Sequence, residues 1–347
     1  MRIEVRRGLH CLLLAAIAAL CGPDLAQAQP GALEAIRARG HVVCGVDPAM
    51  RGYAAVDKQN TWSGMSVEFC RALAAAILGN KSAAKLEPLS GVEDQIAALR
   101  MGRVDVLPGS LAMTSHLDTS AGVRFAGVLA HDGQGFLVRK SQNITSALEL
   151  SGARICVATD KKAELVIADF FGGLKMPADL VKADRWSDAV RSYTGKSCQV
   201  LTGDQTLLAL ARHELADAEE HTILPELAAK RAIGPVVKEG DGTWFGVVRW
   251  TLFALIAAEE LGITAANADM VRASGGPEAR RFLGADWRGG GKRLGLEADW
   301  TLRVIRQVGN YGEMFERNLG QKSPLRLDRR LNNLSGKGGL QFAPRFD

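Results

Sequence analysis

Two stretches of the chain read alike. EAIRARGHVVCGV (34–46) and SALELSGARICVAT (146–159) each carry a helix-like segment, a glycine turn and a short β-rich run with a cysteine inside it. Each is followed by a further helix and strand: MSVEFCRALAAAILG and AAKLEPL after the first, AELVIADFF and WSDAVRSYTGKSCQVLTGD after the second. Apolar residues at helical spacing that alternate with β-rich runs imply β-α-β units. Two series of one plan imply two α/β domains. At 347 residues and 47% hydrophobic, the chain can bury the cores that two such domains need.

The remaining segments fit this plan. GVEDQIAALRMGRVDVLPG reads as a helix ending near Gly102 and a short strand, VDVLP. GQGFLVRK and GPVVKEGDG read as extended, and DQTLLALARHEL as helical. Ser66 is available to cap the helix of MSVEFCRALAAAILG. TWFGVVRWTLFALIAAEELG is a long amphipathic helix whose apolar run breaks at Glu259 and Glu260, so it does not span a bilayer. Trp62, Trp244 and Trp250 are assigned to packing. From about Arg288 the chain is rich in Gly, Arg and Asn. There Trp300, Tyr311 and Phe315 anchor an expected helix near Asp299–Val308 and an ordered tail laid on the first domain.

The N-terminus carries Arg2, Arg6 and Arg7, then CLLLAAIAALCG, then Ala26-Gln27-Ala28. That order is the three-part pattern of a secretory signal peptide, so residues 1–28 are expected to be cleaved and the mature protein to be exported. The formal charge is +5; losing three arginines and two acids (Glu4, Asp24) with the leader leaves +4. That balance is too mild to argue for nucleic acid. Of six cysteines, Cys44, Cys70, Cys156 and Cys198 remain, an even number in a compartment that permits disulfides. Three pairings are possible. Joining neighbours gives Cys44–Cys70 and Cys156–Cys198, one staple in each half; four separate buried thiols are the alternative. No CxxC or Cys/His cluster suggests a metal, and no cofactor is expected.

The segments GHVVCGVD, WSGMSVEFCRALAAAILG, DGQGFLVRK, SALELSGARICVAT, ILPE, LGLEADW, VGNYGEMFERNLGQKSPL and KGGLQFAP, in this order, resemble the periplasmic amino-acid-binding proteins of ABC transporters. The branch is the general L-amino-acid-binding one, within bacterial solute-binding protein family 3. The resemblance implies an α/β, two-lobed periplasmic-binding-protein fold (type II), two α/β domains joined by two hinge strands. Residues 29–133 and 236–347 would form lobe 1 and residues 134–235 lobe 2. It further implies a monomer that closes on a small solute and presents it to an ABC permease in the inner membrane.

In that family the loop after the DVL-type strand holds the amino acid's charged ends, and an arginine pairs with its carboxylate. Here Ser110 is kept, Ala112 stands where a hydroxyl is common, and Leu117 stands at the arginine's place. The family's Gly-Thr-Thr-type turn is replaced by Thr159, Asp160, Lys161 and Lys162. Asp204 matches the acid that takes the ammonium, and Tyr53 the aromatic beside the ligand side chain. A charged pair lost from a closed cleft costs about 2–5 kcal/mol, or roughly 30- to several thousand-fold in affinity. Common α-amino acids should therefore bind poorly unless a cation arrives from elsewhere, and Lys161 and Lys162 are the candidates. An amine seated on Asp204, or a sensor partnering a membrane signalling protein, are the other readings. The same residues also have plain structural roles: Asp204 as a helix cap, Tyr53 as a surface aromatic, the two lysines as a solvated helix start, His116 as a surface residue. An exported dehydratase on this fold would need the absent anchor arginine. No GxSxG, HExxH or P-loop pattern occurs, so a binder rather than an enzyme is expected.

Overall fold

The computed structural model describes residues 31–158, 161–285 and 290–346. The leader 1–28 and Thr159 thus lie outside the described residues, as do the side chains of Lys161 and Lys162.

Four short strands come first: β1 (Val42–Val46), the hairpin β2 (Ala55–Val56) and β3 (Trp62–Ser63), and β4 (Ala84–Pro88), which lies parallel to β1. Between β3 and β4 runs the helix Met65–Leu78, whose Ala- and Leu-rich sequence favours the helix and buries almost all of it. Ser66 does not cap this helix; Gly64 occupies that position. Ser66 sits one residue inside the first turn, where its buried hydroxyl donates to the Gly109 carbonyl at 2.8 Å. A buried hydroxyl needs such a partner, and this one ties the helix to the next strand.

That strand also differs from expectation. The expected VDVLP strand overlaps it only at Leu107 and Pro108; β5 is Leu107–Ala112, so the small residues read as a loop are themselves extended. The chain just before β5 pairs with β1, through Gly45 N–H to Val106 O at 2.9 Å and Asp105 N–H to Val43 O at 2.8 Å. With β6 (Val123–Phe125), β7 (Ala130–Arg139), β8 (Arg154–Ala158), β9 (Asp179–Ala183), β10 (Val200–Asp204), β11 (His221–Ile223) and β12 (Ala229–Lys238), β5 enters one sheet. Its order is β5-β12-β7-β10-β8-β9, with β6 beside β12 and β11 beside β7.

β7 and β12 hold this sheet together. They pair antiparallel only over residues 130–134 and 229–233. Beyond Gln134, β7 pairs with β10 and β11; beyond Ile233, β12 pairs with β5 and β6. Each ten-residue strand therefore serves both ends of the sheet, and the crossing point is their shared stretch. Gly133 is required there, because a Cβ would collide with the Ala229 carbonyl of the facing strand. The boundaries 133/134 and 235/236 drawn from sequence fall inside these two strands.

The cysteines form Cys44–Cys70, joining β1 to the helix Met65–Leu78, and Cys156–Cys198, joining β8 to the turn before β10. The helix Gly242–Glu260 follows β12 and is largely buried. Its Trp244, 1% exposed, donates its indole N–H to Asp105 O at 2.8 Å, and Trp250 meets Phe253 and Phe346 edge-on. Glu259 is held between both Nη atoms of Arg329. The tail reaches further than the first domain. Asn332 exchanges two hydrogen bonds with the backbone of His131 in β7. Arg330 donates to the carbonyls of Leu224 and Ile223 at 2.7 and 3.1 Å. Guanidinium donors thus satisfy carbonyls at the exit of β11 that the sheet leaves over.

Candidate ligand-binding site

β8 and β10 lie side by side and parallel, ending at Ala158 and Asp204. The helices Lys161–Gly173 and Gln205–Glu214 leave from those ends. In α/β sheets ligands lodge beyond the carboxyl ends of strands. A cavity of about 380 Å³ opens there, within the size range of small-molecule sites. Ala112, Met113 and Thr114 at the end of β5 form one wall. Val157, Ala158, Ala163 and Val166 form another, and Ala229, Lys230 and Arg231 at the start of β12 line it beside the crossing strands.

The polar groups of its floor are satisfied internally. Thr202 donates to the Gly135 carbonyl at 2.8 Å; Gln134 Nε2 reaches Thr202 Oγ1 at 3.4 Å and the Ala163 carbonyl at 3.3 Å. Gln134 thereby links β7 to the helix Lys161–Gly173. Trp186, at the start of the helix Trp186–Thr194, lies on the backbone of Gly203. A Cβ at Gly203 would stand 2.6 Å from the indole ring, so glycine is what leaves room for the ring in the wall.

Asp204 precedes the helix Gln205–Glu214 but its side chain makes no capping bond. Its carboxylate instead forms an ion pair with Arg231. The pair is partly open, with the Asp204 side chain 20% and the Arg231 side chain 41% exposed. Behind it, Asp132 is 4% exposed. It accepts from Gly133 N–H at 2.8 Å and from the Thr206 hydroxyl at 2.6 Å. Burial, then the nearby Asp204 charge, pushes the Asp132 carboxyl up to about 6. Burial first and Asp132 second also hold the Tyr53 phenol well above its usual range. Asp132, Thr206 and Tyr53 are thus a closed, buried polar cluster.

The residues singled out from sequence separate into two groups. Ala112 and Asp204 line the cavity. Tyr53 does not; it is 2% exposed within the core. The Ser110 hydroxyl donates to Gln95 Oε1 inside the first domain. Leu117 lies in the short helix Ser115–Ser120 and packs, partly buried, on the apolar cluster containing Val123, Phe125 and Val236. Thr114 caps that helix, its Oγ1 accepting from Leu117 N–H at 3.2 Å. Lys161 and Lys162 open the helix at the cavity's second wall, and Thr159 lies outside the described residues. Sequence reading missed Thr114, Gln134, Trp186 and Arg231. Arg231 had a signal, a cation three residues before the Gly-Pro of a hinge strand. Among the described residues no group of three His, Cys, Asp or Glu could hold a metal, and no helix is long and apolar enough to cross a membrane.

The geometry matches known proteins along most of the chain. The general L-amino acid-binding periplasmic protein AapJ of Rhizobium johnstonii is 43% identical over 335 residues, covering 96% of this chain and 98% of that protein. The glutamate/glutamine/aspartate/asparagine-binding protein BztA of Rhodobacter capsulatus is 41% identical, covering 92% and 94%. A periplasmic binding protein of an ABC transporter from Brucella ovis, solved with glutathione bound, superposes with a TM-score of 0.78 at 41% identity, over 91% of this chain and 99% of that one. All three are named as binding proteins. The model of the bacterial extracellular solute-binding proteins, family 3, matches residues 42–321, and the chain belongs to that family.

Proposed function

We propose that this protein is the periplasmic solute-binding component of an amino-acid ABC importer, exported by cleavage of residues 1–28. It captures a small amino acid or related polar solute and delivers it, as a monomer, to a membrane permease. The observation that carries this reading is the cavity of about 380 Å³ bordered by β5, β8, β10 and β12, with the Asp204 carboxylate on its wall. The names of the two curated relatives support an amino-acid ligand. The two curated relatives are named as binding proteins, which supports reading this chain as a binder rather than an enzyme.

A second ligand is favoured by one observation. The Brucella ovis protein of 41% identity holds glutathione, so a small peptide is the other candidate. The test is thermal-shift screening of the mature protein against the twenty L-amino acids, 4-aminobutyrate and glutathione. A ligand at a hundredfold its dissociation constant stabilises by about 2.7 kcal/mol. One class of compound should raise the melting temperature by several degrees, and Asp204→Ala should abolish the rise. No stabilisation by any of the set would refute the reading.

A further inference from the structure

A ligand carboxylate in this cavity needs a cation, and position 117 supplies none: it is leucine, packed on the first domain's core. Arg231 lines the cavity and engages Asp204 through Nη1. A guanidinium has five donors in a rigid fork. Among the described residues its remaining N–H groups have no protein acceptor, and the side chain is 41% exposed. Asp132, opposite Arg231 in the β7–β12 register, turns its carboxylate to Gly133 and Thr206 instead. Arg231 is therefore held at one edge and presents the rest of its fork to the space beside Asp204.

We propose that Arg231 anchors the ligand's carboxylate while Asp204 takes the adjacent ammonium, so that the pair selects an α-amino acid head group. The head group is either free or carried on a small peptide with that head unblocked. The proposal rests on the reading of the cavity as the ligand site. The protein's own ion pair is close to neutral as a unit. A zwitterion adds one charge to each member and leaves neither uncompensated, whereas a lone amine or lone acid adds charge to one side only. Because Asp204 already orders the guanidinium, little side-chain freedom is lost when ligand arrives. Arg231 sits on β12, which also reaches β5 and β6, so a carboxylate held there is bonded to a strand of the crossing itself.

The test is titration calorimetry on wild type, Arg231→Ala and Arg231→Lys. The probes are the twenty L-amino acids and glutathione, then, for the tightest of them, the amine lacking its α-carboxylate and the acid lacking its α-ammonium. Wild type should prefer the amino acid to either analogue by about 30-fold or more. Arg231→Ala should weaken the amino acid by about as much and strengthen the amine, since a positive charge has left the neighbourhood of Asp204. A merely structural role would weaken all three together. Arg231→Lys keeps the charge without the fork and should fall between; it decides the matter if the alanine variant does not fold. Wild-type binding with an unchanged amino acid affinity in both variants overturns the anchor and leaves the binding function standing. Wild type that binds none of the probes overturns both.

Discussion

The carboxyl of Asp132 makes stability depend on pH in an unusual direction. Most acids of folded proteins are held below their unfolded value; burial holds Asp132 above its own, at about 6 against 3.8. Below pH 3.8 both states bind the proton and the group contributes nothing to the difference. Between 3.8 and 6 the folded state binds more proton than the unfolded one, so stability falls as pH rises. Above 6 the loss is complete. Two pKa units correspond to about 3 kcal/mol. Asp132→Asn removes the titration while its amide oxygen can still accept from Gly133 and Thr206. Urea denaturation of both proteins from pH 4 to pH 8 tests this. The stability of the Asn variant relative to wild type should improve by about 2.5 kcal/mol across that range, with most of the change between pH 4 and 6. A difference that stays constant with pH would refute the reasoning, because it would mean that Asp132 binds protons equally in the folded and unfolded states.

Other outcomes follow from the same geometry. Gly203→Ala should force the Trp186 ring off the cavity wall, costing about 1–3 kcal/mol of stability by overpacking and lowering ligand affinity in calorimetry. An unchanged affinity would place Trp186 outside the ligand's reach. Chain entropy for sequence separations of 26 and 42 residues gives about 3.5 and about 4 kcal/mol for the two disulfides. Cys70→Ser and Cys198→Ser should each lower the denaturation midpoint accordingly, and mapping of unreduced fragments should join Cys44 to Cys70. Protein recovered from the periplasm should begin at Gln29 on N-terminal sequencing; an intact leader would contradict cleavage after Ala28.

The fold was largely legible because its signals are local. The repeated helix-turn-strand around Cys44 and Cys156 placed the β-α-β units, and apolar residues at helical spacing along residues 65–78 placed the first long helix. What periodicity did not show was pairing. Leu107–Ala112 is strand because β12 lies beside it, a partner more than a hundred residues away, and its small residues gave no β-rich signature of their own. The tail's reach to Ile223 and Leu224 depends on carbonyls left over at the end of β11, which no sequence window displays. At the candidate site, family resemblance pointed to positions rather than environments. Asp204 and Ala112 do line the cavity, but Tyr53 and Ser110 have their partners within the fold. Arg231 lay just ahead of the expected hinge strand GPVVKEG, but only the crossing of β7 and β12 brings residue 231 beside residue 204.

The most direct test of this account is a crystal structure of the mature protein with the tightest compound from the thermal-shift panel. The account predicts electron density between the end of β5 and Trp186, with the ligand's ammonium on Asp204 and its carboxylate on Arg231. Density bound elsewhere on the surface, or a ligand in the cavity that touches neither of those two side chains, would contradict it.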